Sequence, residues 1–102
     1  MKIPRYLLKE TATIEAFLGV EFGGVVRYDD PVEERCQVEP GQRVVTDAAG
    51  QEVVAEAVAF FMPHVFIPPQ SRLTWEGRRL TVIESRPHRY KGRTVYVEVF
   101  LR

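Results

Sequence analysis

The stretch 41–75, GQRVVTDAAGQEVVAEAVAFFMPHVFIPPQSRLTW, decides how this 102-residue chain is read. It opens on a β-branched run (Val44, Val45, Thr46) and crosses Asp47-Ala48-Ala49-Gly50-Gln51, a turn-forming set. A longer apolar run, 53–61, follows and is stopped by Pro63 and then by Pro68-Pro69. Two β-prone runs around a glycine-bearing link read as a long hairpin, residues 42–61, projecting from the rest of the chain as an arm. The second run is rich in Ala and Glu, so a short helix can also be written over 52–61. Its valines and phenylalanines, bounded by Gly50 and Pro63, favour a strand. An arm with a charged, small-residue tip exceeds what folding a body of this size requires. It is therefore the expected functional part, carried by Arg43, Thr46, Asp47, Gln51 and Glu52.

On either side of the arm the apolar period is two. Ile3-Pro4 predicts an extended start, since the residue before proline avoids the helical region. Tyr6, Leu7 and Leu8 are expected to dock on the core. Over 11–17, Ala12, Ile14 and Ala16 share one side of a half-buried strand. Gly19 and Gly23-Gly24 predict a loose turn before a second strand from Val25 to Tyr28, broken by Asp29-Asp30-Pro31. Over 32–39, Val32, Cys36 and Val38 alternate with Glu33, Arg35, Gln37 and Glu39, with Glu34 the exception on the apolar side. Pro40-Gly41 is expected to end that strand.

After the arm, 72–75 and 78–85 flank Glu76-Gly77, a tight hairpin turn with glycine supplying positive φ. Residues 87–92 read as a basic loop. The last strand, 94–101, sets Val95, Val97, Val99 and Leu101 inward and Tyr96, Glu98 and Phe100 opposite, so it is expected to be covered on both sides, by its own barrel and by a neighbour. About seven strands with no long helical pattern indicate a small all-β antiparallel barrel of six to seven strands, one domain over 1–102.

Composition limits the function. Apolar residues are 45% of the chain, enough for a core and too many for a disordered segment. The longest uncharged apolar run, from Ala57 to Pro63, is too short to span a bilayer, and the N-terminus lacks the apolar core of a signal peptide. The single cysteine excludes an intramolecular disulfide framework. Net charge is zero, yet residues 1–60 carry 6 Lys/Arg against 11 Asp/Glu and residues 61–102 carry 8 against 3. A chain so divided, −5 and +5, suits association of the basic part of one copy with the acidic part of another.

Catalytic chemistry finds no constellation. His64 and His88 have no second ligand at zinc spacing, and Cys36 on an apolar strand face reads as a small core residue. Gly23-Gly24 and Gly41 lack the helix and lysine of a phosphate loop. Asp29, Asp30, Glu33 and Glu34 lack calcium-loop spacing and read as a solvated edge. No enzyme, cofactor or metal is expected. The basic set Arg86, His88, Arg89, Lys91 and Arg93, interleaved with Tyr90, has the composition that tracks a single-stranded nucleic-acid backbone. On a neutral protein that set reads first as a solvated or protein-facing loop, with nucleic-acid contact the second reading.

Four segments carry a family resemblance: IPRYLLKETATIEAFLG, GQRVVTDAAGQEVVAEAVAFF, IPPQSRLTWEGRRLTVI and VYVEVFLR. Together they resemble the head-tail connector proteins (head-closure, stopper or minor capsid proteins) of tailed double-stranded DNA bacteriophages. The specific part joins D-x-x-G-x-E-V-V at 47–54 to I-P-P-x-S-R-L-T at 67–74, with Gly77-Arg78 after the hairpin. The Phe60-Phe61-Met62 run departs from the more polar stretch expected there. The resemblance implies a barrel assembling into a ring at the phage neck, dodecameric when built on its neighbours and monomeric when isolated. The partners implied are the portal or adaptor protein, a tail-completion or tail-tube protein and packaged DNA, with no membrane. The location implied is the virion neck, and the host cytoplasm during assembly. In such rings the arm points to the channel or bridges subunits and helps retain DNA.

Overall fold

The computed structural model describes residues 8–47 and 49–102. The expectations for Ile3-Pro4, Tyr6, Leu7 and the Ala48 turn position lie outside the described residues. Eight strands follow in order: β1 (Glu10–Glu15), β2 (Phe17–Val20), β3 (Val26–Tyr28), β4 (Val32–Thr46), β5 (Glu52–Phe61), β6 (Arg72–Trp75), β7 (Arg78–Tyr90) and β8 (Arg93–Leu101). Six of them close an antiparallel barrel in the order β1-β4-β5-β8-β7-β6, and β2 and β3 form a separate two-stranded hairpin. The all-β barrel with a long hairpin is as the sequence indicates, and 52–61 is strand rather than helix.

Alternation fills the barrel. Ala12, Ile14, Cys36, Val38, Ala57, Ala59, Phe61, Leu73, Trp75, Leu80, Val82, Val97, Val99 and Leu101 form one buried cluster, with Val65 and Ile67 of the loop after β5. Leu8 is buried as expected. Val32 departs from its predicted core side and is half-exposed, because it pairs with Ile14 at the last rung of the β1–β4 ladder. Inside this apolar set, Glu10 stays hydrogen-bonded: Trp75 Nε1–H donates to its Oε2 at 2.7 Å and the Val38 amide to its Oε1 at 3.1 Å. Two acceptors so used tie β1 to β4 and β6 at the barrel wall.

A second apolar cluster lies outside the barrel. Val45, Ala55, Val58, Ile83 and Phe100 are buried together, with Val53 and Phe60 against them. Val58 and Phe100 are cross-strand partners, so they share the outer face of the β5–β8 ladder. Of the outer residues of β8, Tyr96 and Glu98 are half-buried and Phe100 is buried, and the cover at Phe100 comes from the chain's own β4–β5 hairpin rather than from a neighbour.

Three expectations about strand boundaries fail. Gly19 lies within β2, paired with Arg27, rather than in a turn. The other two concern prolines. Pro40-Gly41 does not end a strand; β4 continues to Thr46 through a register shift between Pro40 and Arg43. Pairing with β1 stops at Cys36, so Pro40 sits where one side of β4 is open and a missing N–H breaks no ladder there. Gly41, at φ 145°, supplies the backbone of that bulge. Likewise 87–92 is no loop. β7 runs through Pro87 to Tyr90, paired with β8, and only Lys91 and Gly92 turn, at φ 52° and 79°. β6 pairs with β7 no further than Thr81, so Pro87 also lies on an open edge.

Candidate functional site

Three hairpins extend beyond the barrel wall, and they carry the candidate residues. The β5–β8 ladder runs from Ala57↔Leu101 to Phe61↔Val97. Past Ala57, β5 keeps only β4 as a partner; past Val97, β8 keeps only β7. The β4–β5 and β7–β8 extensions therefore leave at opposite ends of that ladder, in a molecule measuring 44 × 28 × 28 Å.

On the β4–β5 extension Arg43, Thr46, Gln51 and Glu52 are exposed. Asp47 is half-buried and spends its carboxylate on the turn: Oδ1 accepts from the amides of Ala49 and Gln51, both at 2.9 Å. The Asp47 amide donates to the Gln51 carbonyl at 2.8 Å and closes the tip. This aspartate-built turn holds the tip in one shape while its neighbours face solvent. One face of the extension is seated through Val45 and Ala55, whereas Val44 and Val54 on the other face are bare. Asp47 and Ala49 of the tip line a cleft of about 400 Å³ together with Val26, Tyr28, Thr81 and Ile83.

The basic residues are split. Arg86 lies with its guanidinium 4.8 Å from the centre of the Phe100 ring, on the outer barrel face. Arg89, Lys91 and Arg93 are exposed at the β7–β8 tip and make no ion pair among the described residues. Lys91 Nζ lies 5.5 Å from the Tyr90 ring centre. His88 is occupied locally, stacked on Tyr96 at 4.5 Å and within 2.9 Å of Glu98 Oε1. The arm set and the basic set do not converge on one site.

Cys36 is buried in the barrel, and burial, reinforced by the nearby Glu10 carboxylate, pushes its thiol up to about 12. It carries no thiolate at neutral pH and is a core residue. Among the described residues no group of three or more His, Cys, Asp or Glu side chains is placed to hold a metal ion.

The third hairpin, β2–β3, was not singled out by sequence reasoning. Leu18, Val20, Phe22, Val25 and Val26 are all exposed on it, and Phe22 at its tip is fully so. The available signal was Leu18-x-Val20-x-Phe22, an alternation that continues across Gly19 into the turn. Its base is firmly mounted. Phe17 and Tyr28 meet edge to face at 6.3 Å, and the Arg72 guanidinium lies 3.9 Å over Tyr28. Arg72 Nη2 donates to Glu15 at 2.8 Å. The Phe17 amide donates to the hydroxyl of Ser71, a fully buried serine that itself donates to the Pro68 carbonyl at 2.7 Å.

No family model matches the sequence, and no curated protein matches it. Among solved structures, a chain from the virion of a native gene transfer agent (GTA) particle has a similar fold, with a TM-score of 0.55, 16% identity and 93% of each chain covered. At that identity the likeness is one of fold.

Proposed function

We propose that this chain is a non-enzymatic structural protein of a virion of the tailed-phage type. In the finer reading it forms a homo-oligomeric ring at the neck, between portal-adaptor and tail, that helps retain packaged DNA and dock the tail. The observation that carries the proposal is the barrel shared over 93% of both chains with a component of a gene transfer agent virion. The four segments resembling head-tail connectors support the same reading, as does a hairpin whose side chains Arg43, Thr46, Gln51 and Glu52 face solvent. In this reading Arg43, Thr46, Gln51 and Glu52 meet a neighbouring subunit or the channel, and Asp47 holds the turn that presents them. Deleting 46–51 is expected to leave a folded barrel and abolish tailed, infectious particles. A normal particle yield from that deletion would refute the role.

A second reading rests on the tip residues Arg89, Lys91 and Arg93, which make no ion pair among the described residues: a small barrel that binds single-stranded nucleic acid. It predicts affinity that drops steeply with added salt and vanishes in the Arg89→Glu, Lys91→Glu double variant. An anisotropy titration without binding at low salt removes it.

A further inference from the structure

We propose that the β2–β3 hairpin is a self-docking finger: its exposed apolar tip seats in the groove beneath the proline-rich loop 63–69 of a second copy of this chain. The inference rests on the oligomeric reading above and names the surfaces that would make the contact.

The finger is displayed rather than loose. An isolated two-stranded hairpin is marginal in water, but this one is clamped at its base by Phe17, Tyr28, Arg72 and Ser71. At its tip the Glu21 amide donates to the Val25 carbonyl at 2.7 Å, and Arg27 pairs with Glu21 across the strands. Val20 and Val26 are direct cross-strand partners and so share a face. Leu18, Val20, Phe22, Val25 and Val26 are all exposed on one short hairpin, with Phe22 wholly so, and exposed apolar surface of this kind marks a contact site.

The groove has matching chemistry. It encloses about 350 Å³ and is lined by Pro63, Phe66, Ile67, Pro69, Pro87 and Val97 among others, with Phe66 largely exposed. The groove is open to solvent and its volume exceeds that of a cavity of about 150 Å³ that admits a benzene ring, so it has space for the Phe22 ring. No finger residue lines this groove in its own chain.

Charge selects between this groove and its neighbour. On the other side of the same loop lies a smaller groove of about 220 Å³ whose lining includes Asp29, Asp30 and Glu34. The finger rises directly from Asp29-Asp30, so an acidic groove repels it. In the larger groove Arg89 is the cross-strand partner of Thr94, which lines it, and therefore shares its face. Acidic base against basic rim is the complementary arrangement. Joining one patch to a different patch on the next copy is a heterologous contact, which propagates into a ring where the rotation closes.

The test uses full-length protein with Val25→Cys, beside the retained Phe22, in one mass-tagged copy and Thr94→Cys in another. Cys36 stays silent because it is buried. A short bismaleimide is expected to join the two copies, while Val25→Cys mixed with Arg79→Cys, on the exposed barrel wall, stays unjoined. Phe22→Glu is expected to melt with the wild type and to weaken self-association by about 30-fold or more. Oligomers that form without the 25–94 crosslink overturn the proposal and leave the ring reading standing. A chain that neither crosslinks nor associates at any concentration also overturns it; the particle yield of the 46–51 deletion then judges the ring separately. A finger that crosslinks only to a different virion protein, or folds onto its own subunit, assigns it another partner and overturns the proposal as well.

Discussion

The β4–β5 extension and the β2–β3 finger are both apolar hairpins standing outside the same barrel, yet only the first has one face covered, its other face leaving Val44 and Val54 bare. The first lays Val45 and Ala55 over Ile83 and Phe100 and buries them. The second leaves Leu18, Val20, Phe22, Val25 and Val26 in solvent and is held only at its base. Hydrophobic stabilisation follows area removed from water, so the first hairpin contributes to folding and the second contributes only when something else covers it. An apolar hairpin is therefore assigned to stability or to contact by what lies under it, not by its composition.

Four substitutions or probes can break or sharpen that comparison, and the largest effect falls under the covered hairpin. Phe100→Ala is expected to cost about 3–5 kcal/mol in denaturant unfolding, since it opens a void where the hairpin meets the outer barrel face. A loss as small as that of an exposed residue would mean the extension is not seated there.

Cys36 reports whether such damage reaches the barrel interior. Its thiol is buried and protonated, so a thiol reagent should label it only through opening of the barrel. Phe100→Ala should then speed labelling by about a hundredfold or more. The same thiol sets a pH dependence. In the fold it ionises at about 12 rather than 9.0, so between those values the unfolded chain gives up its proton first. Stability is full below pH 9 and declines as pH rises towards 12. Equilibrium unfolding at pH 8 and pH 11 checks the sign.

Ser71→Ala is expected to cost about 1–3 kcal/mol, because it orphans the Phe17 amide at the finger's base. Hydrogen exchange at that amide should quicken by more than exchange in β5 and β8, which follows only the loss of global stability. The smallest effect belongs to the bare side chains: Phe22→Ser should change stability by less than about 0.5 kcal/mol. A destabilisation comparable to that of Phe100→Ala would show that the finger is covered within its own subunit, and the contrast would fail.

Much of the barrel was readable because a half-buried strand announces itself with period two. Ala12 and Ile14, Cys36 and Val38, Leu73 and Trp75, Leu80 and Val82, and Val97, Val99 and Leu101 all lie where alternation puts them. The misreadings at the prolines share one cause. Local residues mark Pro40 and Pro87 as strand ends, since proline cannot serve a ladder on both sides. Both sit where β4 and β7 have lost a neighbour, and that loss depends on which strands pair, not on local residues. Of the candidate surfaces, the arm and the basic set were found from turn chemistry and charge. The finger was passed over because glycines at 19, 23 and 24 look like loose turn material when its mount, Ser71 and Arg72, lies far off in sequence.

By itself, then, the sequence determined that the chain is all-β, that its strands are half-buried, and that 47–51 turns a long hairpin back on itself. These are consequences of side-chain period and of backbone preference, which act over a few residues. Only the tertiary structure decided that the barrel closes through β1 and β6, that the hairpin bends onto Phe100, and that the finger stays uncovered. Closure and cover depend on contacts between residues tens of positions apart, and no local pattern encodes which apolar face will find a partner.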